Sequence, residues 1–195
     1  MEALSGIFSA FGLSASAGLN AYIPLLVVSL LARYTDLIKL NPPWDAMTSW
    51  WVIGLLIILL VIEIFADKVP AVNHVNDIIQ TFIRPVAGAI LFAASAKVIT
   101  GVHPVLALAA GLLVAGSVHT VKAAAVRPAV SVTTGGVGNV PVSIAEDIIS
   151  TVLSILAILI PLMIGILIIA LTILVIMWWR GRSNKTQAFP TNRSV

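Results

Sequence analysis

The sequence contains no cysteine, which excludes disulfides, thiolate metal sites and cysteine nucleophiles. It is also poor in charge. Lys, Arg, Asp and Glu make up 10% of the 195 residues and hydrophobic residues 59%, whereas a soluble domain carries about 25% charged residues. Such a chain cannot wrap an apolar core in a polar surface, so it reads as an integral membrane protein with the lipid bilayer as its first partner. The length suits one compact helical domain and leaves no room for a separate soluble enzyme domain. Histidine is scarce too: His74, His103 and His119 are scattered without metal spacing, and no nucleophile–base motif, Tyr-Asp or Gly-x-Gly-Asp pattern occurs. Neither an enzyme nor a metal or cofactor is expected. The net charge of +3 is small and partly confined to the tail "RGRSNKTQAFPTNR", which argues against a nucleic-acid partner and for a topology signal.

What is there is apolar sequence at membrane length. A bilayer core of about 30 Å needs about 20 apolar residues per helix. Five stretches approach that length, one of them long enough for two helices, so the expected fold is all-α with about six transmembrane helices. They fill one domain, residues 1–180, followed by a basic, disordered tail, 181–195. The first run covers about 4–31. The second starts at Trp50–Trp51, a pair suited to the membrane interface, and ends at "EIFADKVP". A short polar-faced helix, "NHVNDIIQTFI", precedes a third span opened by Pro85. Pro104 suits the first turn of a fourth helix. After the loop "RPAVSVTTGGVGNVP", residues 143–179 are apolar for nearly twice a membrane thickness. They read either as a hairpin turning near Pro161 or as one long kinked helix.

Six spans put both termini on one side. Arg180, Arg182, Lys185 and Arg193 make that side cytoplasmic, and Lys68, Arg84, Lys122 and Arg127 fall on it, against Arg33, Lys39 and Lys97 opposite. The expected location is the inner membrane of a bacterium, multi-pass, with both termini in the cytoplasm.

Glu63, Asp67, Asp77, Glu146 and Asp147 fall on the same side, so the embedded charge gathers at one end of the bundle. A charge at the bilayer centre costs about 2.5–3.5 kcal/mol on insertion scales, so embedded charges pair or face water. Glu63 and Asp67 are four apart on a helix and repel unless a cation or proton intervenes. Ala107, Gly111, Ala115 and His119 form a small-residue stripe that lets a neighbour approach closely and ends beside Lys122. This spacing predicts a Glu63–His119–Lys122 cluster facing a water-filled vestibule; the plainer reading is packing, with Lys122 snorkelling to the interface. Arg84–Pro85 and Arg127–Pro128 each place an arginine before a helix-breaking residue, able to donate to freed carbonyls or an anion. "TTGGVGN", ending at Asn139, reads as a turn or as an anion-binding nest.

"SASAGLNAYIP" is the remaining oddity. Pro24 cannot donate to the carbonyl of Asn20, so a break is expected within the first span, facing protein or water. Ser14-x-x-x-Gly18 is equally a small-residue packing face. There is also an internal echo: "VNHVNDIIQT" (72–81) and "VSIAEDIIST" (142–151) share five residues in register, each starting at a helix cap, Asn73 or Ser143, with Ser143 and Glu146 forming a capping box. Repeats of this kind occur in transporters; two ordinary capped helix starts give the same pattern.

The blocks "GLSASAGLNAYIPLL", "EIFADKVPAVNHVNDIIQTFIRPVAGA", "HTVKAAAVRPAVSVTTGGVGN" and "SIAEDIIS" resemble the bacterial and plastid membrane proteins grouped as domain of unknown function 4126. The similarity runs from about 12 to 161. It implies an integral membrane protein and no established activity. Asn20, Asp67, Lys68, Asp77, Arg84, Pro85, Lys122, Arg127, Pro128, Gly135, Gly136, Asn139, Glu146 and Asp147 match its pattern. Two functions stay open: a small transporter, channel or lipid translocator with a polar cytoplasm-facing cavity, taking an ion, solute or lipid headgroup; or a structural or accessory protein that assembles, with itself or a partner, through small-residue faces.

Overall fold

The computed structural model describes residues 2–68, 70–96, 102–161, 166 and 169–177, and all regular structure among them is helical. The helices are α1 (Glu2–Leu19), α2 (Tyr22–Tyr34), α3 (Trp50–Lys68), α4 (Pro70–Ala96), α5 (Pro104–Val121), α6 (Arg127–Thr134) and α7 (Asn139–Leu159). Four segments are long and apolar enough to cross a bilayer: Trp50–Asp67, Asn76–Ser95, Pro104–Thr134 and Asn139–Leu159. The first run does not form a single span. It splits into two shorter apolar helices, Ser5–Leu19 and Tyr22–Tyr34.

The split is a reversal of direction rather than a kink. Ser9 near the start of α1 donates to the carbonyl of Ala157 near the end of α7, whereas Asn20 reaches Asp147 near the start of α7. At the far end of α2, Arg33 donates to the carbonyl of Thr48 and Tyr34 packs edge-on against Trp50. α1 and α2 therefore form a tight hairpin whose turn, Asn20–Ala21, lies at the same end as Glu63 and Arg84. The start of α1 lies at the other end: Ser5 and Ser9 share a cavity of about 250 Å³ with Leu37 and Lys39. Asn20 makes the turn by itself. Its Oδ1 accepts from the backbone N–H groups of Tyr22 and Ile23 at 3.0 and 3.1 Å, replacing the partners that the first turn of a helix lacks.

Three further expectations are corrected. α4 runs unbroken from Pro70 to Ala96 with Pro85 inside it, so Pro85 does not open a span and Asn73 does not cap one. A proline inside a helix removes one hydrogen bond, and close packing on α1 and α5 holds the helix through that gap. Second, "RPAVSVTT" is helix, not loop. Residues 122–126 form one π turn in which the Arg127 N–H reaches the carbonyl of Lys122, five residues back. A π bulge takes up the irregularity of Pro128 without ending the rod. Third, α7 starts at Asn139, a full turn before Ser143, so Ser143 and Glu146 are not a capping box. α7 does end just before Pro161. Residues 162–165, where the expected hairpin turn falls, and the tail 181–195 lie outside the described residues.

The core is a close crossing of α1, α4 and α5. A Cβ on Gly111 would strike the Gly88 carbonyl and come within 2.6 Å of Phe92 Cβ, and one on Gly18 would meet the Ala115 carbonyl at 2.6 Å. The Ala107, Gly111, Ala115, His119 stripe is buried along its length, as its spacing predicts. Hydroxyls bind α7 to α1: Ser16 Oγ lies 2.8 Å from Ser150 Oγ and 2.7 Å from Ser154 Oγ.

Candidate functional site at the charged end

Three carboxylates (Glu63, Asp67, Glu146) and three cationic side chains (Arg84, Lys122, Arg127) are buried together at the end of the bundle that holds the Asn20 turn. α3 delivers Glu63 and Asp67 one turn apart on its inward face. α4 delivers Asn76, Gln80 and Arg84 at four-residue intervals. The α5–α6 rod brings His119, Lys122 and Arg127, and the first turns of α7 bring Ser143, Glu146 and Asp147. The repulsion expected between Glu63 and Asp67 is relieved by giving each its own guanidinium.

Glu63 Oε1 accepts from Arg84 Nη2 at 2.9 Å, with both side chains at most 1% exposed. Arg84 Nη1 lies 3.2 Å from His119 Nδ1, and Thr81 Oγ1 lies 3.1 Å from His119 Nε2. Arg127 Nη2 bridges two helices, donating to Asp67 Oδ2 at 3.1 Å and Glu146 Oε2 at 3.2 Å. Its Nη1 stands 3.8 Å from Asp77 Oδ2. Asp67 also accepts from Asn76 Nδ2 at 2.7 Å and Ser143 Oγ at 3.0 Å. Lys122 Nζ lies 2.7 Å from Glu146 Oε2 and donates to the carbonyl of Leu19 at 3.0 Å. That carbonyl is one of those at the end of α1 that lack a helical partner.

The predicted Glu63–His119–Lys122 triad therefore forms with different partners. Glu63 and His119 meet through Arg84, whereas Lys122 pairs with Glu146 and the broken end of α1. Asp77 is a quarter exposed at the rim. Asp147 accepts from Asn20 Nδ2 at 2.9 Å, coupling the hairpin turn to α7. Asn139 stands apart from the cluster, its Nδ2 donating to Ser131 Oγ. In "TTGGVGN" the Gly138 N–H donates to Thr134 Oγ1, the Val137 N–H to the Thr134 carbonyl and the Asn139 N–H to the Gly136 carbonyl, so these three amides are engaged within the turn. Gly135 and Gly136 take the positive φ values that the turn requires. Lys68 closes α3, but its side chain and that of His74 lie outside the described residues.

Sequence reasoning missed Tyr22, Asn76, Gln80, Ser143, Ser150 and Ser154 as interior groups. Polar residues four apart on an apolar helix, as in Asn76/Gln80 and Ser150/Ser154, were the available signal. Glu63 Oε2 and Gln80 Oε1 are buried acceptors with no hydrogen-bond partner among the described residues. No group of three His, Cys, Asp or Glu among those residues could hold a metal ion.

A second cavity, about 470 Å³, opens on the flank of the bundle between the ends of α1, α5 and the first turns of α7, with Lys122 and Glu146 among its lining residues. Around both features the outer surface is apolar: Leu55, Ile58, Phe65, Phe82, Leu113 and Ile148 are each more than half exposed, while Arg84 is the largest fully buried side chain among the described residues. Charge inside and hydrocarbon outside define a polytopic helical membrane protein. The family model described as domain of unknown function (DUF4126) matches residues 7–181, and the chain belongs to that family. Comparison with curated proteins and with solved structures gives no match.

Proposed function

We propose that this protein is a small membrane transporter whose solute or coupling ion is handled at the charged end. The observation that carries this reading is the placement of the Lys122–Glu146 pair: it meets the interrupted end of α1 and lines a cavity open to the side of the bundle. Transporter sites are commonly built where helices break, because freed carbonyls can bind cations there. Support also comes from the two buried acceptors near Arg84 and from a second cavity at the opposite end, lined by Ser5, Ser9 and Lys39. The bundle is closed between the two cavities, where Ser16 and Ser150 are fully buried. On this reading the acidic end faces the cytoplasm of a bacterium, following its positively charged residues.

The competing reading is a structural or accessory protein. It is favoured by the equal number of buried cations and carboxylates among the described residues, each paired within 3.2 Å, which is what a static network that fixes helix register needs.

One experiment separates the two. The chain has no cysteine, so Ser16→Cys and Ser150→Cys give single, nearly isosteric probes at the closed middle. Transport requires that middle to open, so both cysteines are expected to react with a membrane-impermeant maleimide in vesicles, faster from the acidic side. Breaking the Lys122–Glu146 pair with Glu146→Gln should change the labelling rate. Folded protein that labels from neither side would be a static bundle, and the transport reading would fall.

A further inference from the structure

From the floor of the flank cavity we infer a binding site for primary alkylammonium ions, occupied in this conformation by the protein's own ammonium, that of Lys122. This deepens the transport reading by naming the chemical class of its solute.

The site has two halves. The first is a cation-binding pair: Glu146 Oε2 and the Leu19 carbonyl hold Lys122 Nζ at 2.7 and 3.0 Å. Leu19 is the last residue of α1, where the unpaired carbonyls and the negative end of the helix dipole favour positive charge. The second half is room for an alkyl body. The cavity of about 470 Å³ is lined by Leu19, Lys122 and Glu146 themselves together with Val118, Val121 and Ile149, a size ordinary for small-ligand sites. An alkylammonium arriving from the flank would find apolar walls leading to a carboxylate and a carbonyl. The Lys122 stem can move into the same cavity as its ammonium leaves.

Two features select the class. Both contacts at Lys122 Nζ are hydrogen bonds from N–H, which a quaternary ammonium cannot make. Charge selects the sign. Glu146 supplies a carboxylate and Leu19 a carbonyl at the negative end of α1, so a cation is accommodated where an anion would be repelled.

The test is chemical rescue in purified protein held in lipid nanodiscs. Lys122→Ala removes the internal occupant, and n-propylammonium restores the missing atoms. It should recover about half or more of the lost thermal stability at saturation, by linkage to the folded state. n-Propanol and propyltrimethylammonium should give no recovery, and Lys122→Ala/Glu146→Gln should not respond to n-propylammonium. Equal effects of the three compounds, or no recovery in a folded variant, would overturn the site. If Lys122→Ala does not fold, Ala145→Trp in the otherwise intact chain places an indole on the cavity wall. Its fluorescence should then be quenched by 3-bromopropylammonium and not by 3-bromopropanol, and equal quenching by both overturns the proposal. Rescue without labelling of Ser16→Cys would leave an ammonium site in a protein that does not transport. Labelling without rescue would leave a transporter of some other solute.

Discussion

The two ends of this bundle use the same kinds of residue to opposite effect. At the end with the Asn20 turn, six charged side chains are buried and their partners are fixed across four helices. At the other end, Arg33, Asp36 and Asp45 are exposed on or beside the 35–49 connection. There Arg33 donates to the Thr48 carbonyl and lies 4.6 Å over the Trp50 ring, an interface contact that water can replace. The difference is desolvation. A buried charge that loses its partner has no water to turn to, so removing one member costs about 3–5 kcal/mol, although the intact pair adds little net stability over an apolar one. An exposed interaction is worth about 0–1 kcal/mol. Identical residues are therefore structural at one end and nearly optional at the other.

The largest effect should come from splitting a buried pair. Arg84→Met strands Glu63 in the interior and is expected to cost about 3–5 kcal/mol, while Glu63→Met/Arg84→Met should recover most of that loss. Folded yield and denaturant titration in detergent measure both; a double variant as unstable as the sum of the single ones would break the contrast drawn here. Next comes the uncharged middle. Gly111→Val drives a side chain into the Gly88 carbonyl and Phe92 and should cost about 1–3 kcal/mol by overpacking, read by thermal unfolding. A larger loss than for Arg84→Met would make helix approach, rather than ion pairing, the main constraint. The smallest effect is expected from Arg33→Ala, under about 1 kcal/mol, and a loss comparable to Arg84→Met would show that the exposed end is as rigidly built as the buried one.

Much of the charged end was legible beforehand because hydropathy and spacing are local properties. Glu63, Asp67, Lys122 and Arg127 stood out as charges at the ends of apolar runs, and the stripe ending at His119 pointed inward by its four-residue period. The echo between 72–81 and 142–151 does not mark two matching helix starts, since α4 begins at Pro70 and α7 at Asn139. Partner choice was not legible. Lys122 lay nearest in sequence to His119 and was grouped with Glu63, yet it binds Glu146 and Leu19, because the π turn and the Asn20 hairpin set where those groups arrive. Pro85 and Pro128 read as helix ends because a proline disfavours the helix around it; packing overrode that preference at Pro85, and the π turn carried the rod past Pro128.

Composition alone made this a membrane protein: too little charge for a water-facing surface, and apolar runs of bilayer length. The sequence also decided which residues would carry the interior polarity, since few others were available. Only the tertiary structure decided how they pair and which way the chain runs between them. Asn20 and Asp147 are 127 positions apart, and no local pattern encodes a distance set by four helices packing at once. The same packing turned an apparent first span into a hairpin, because Asn20 could satisfy the start of α2 with its own side chain and the two short helices could then bury their serines against α4 and α7.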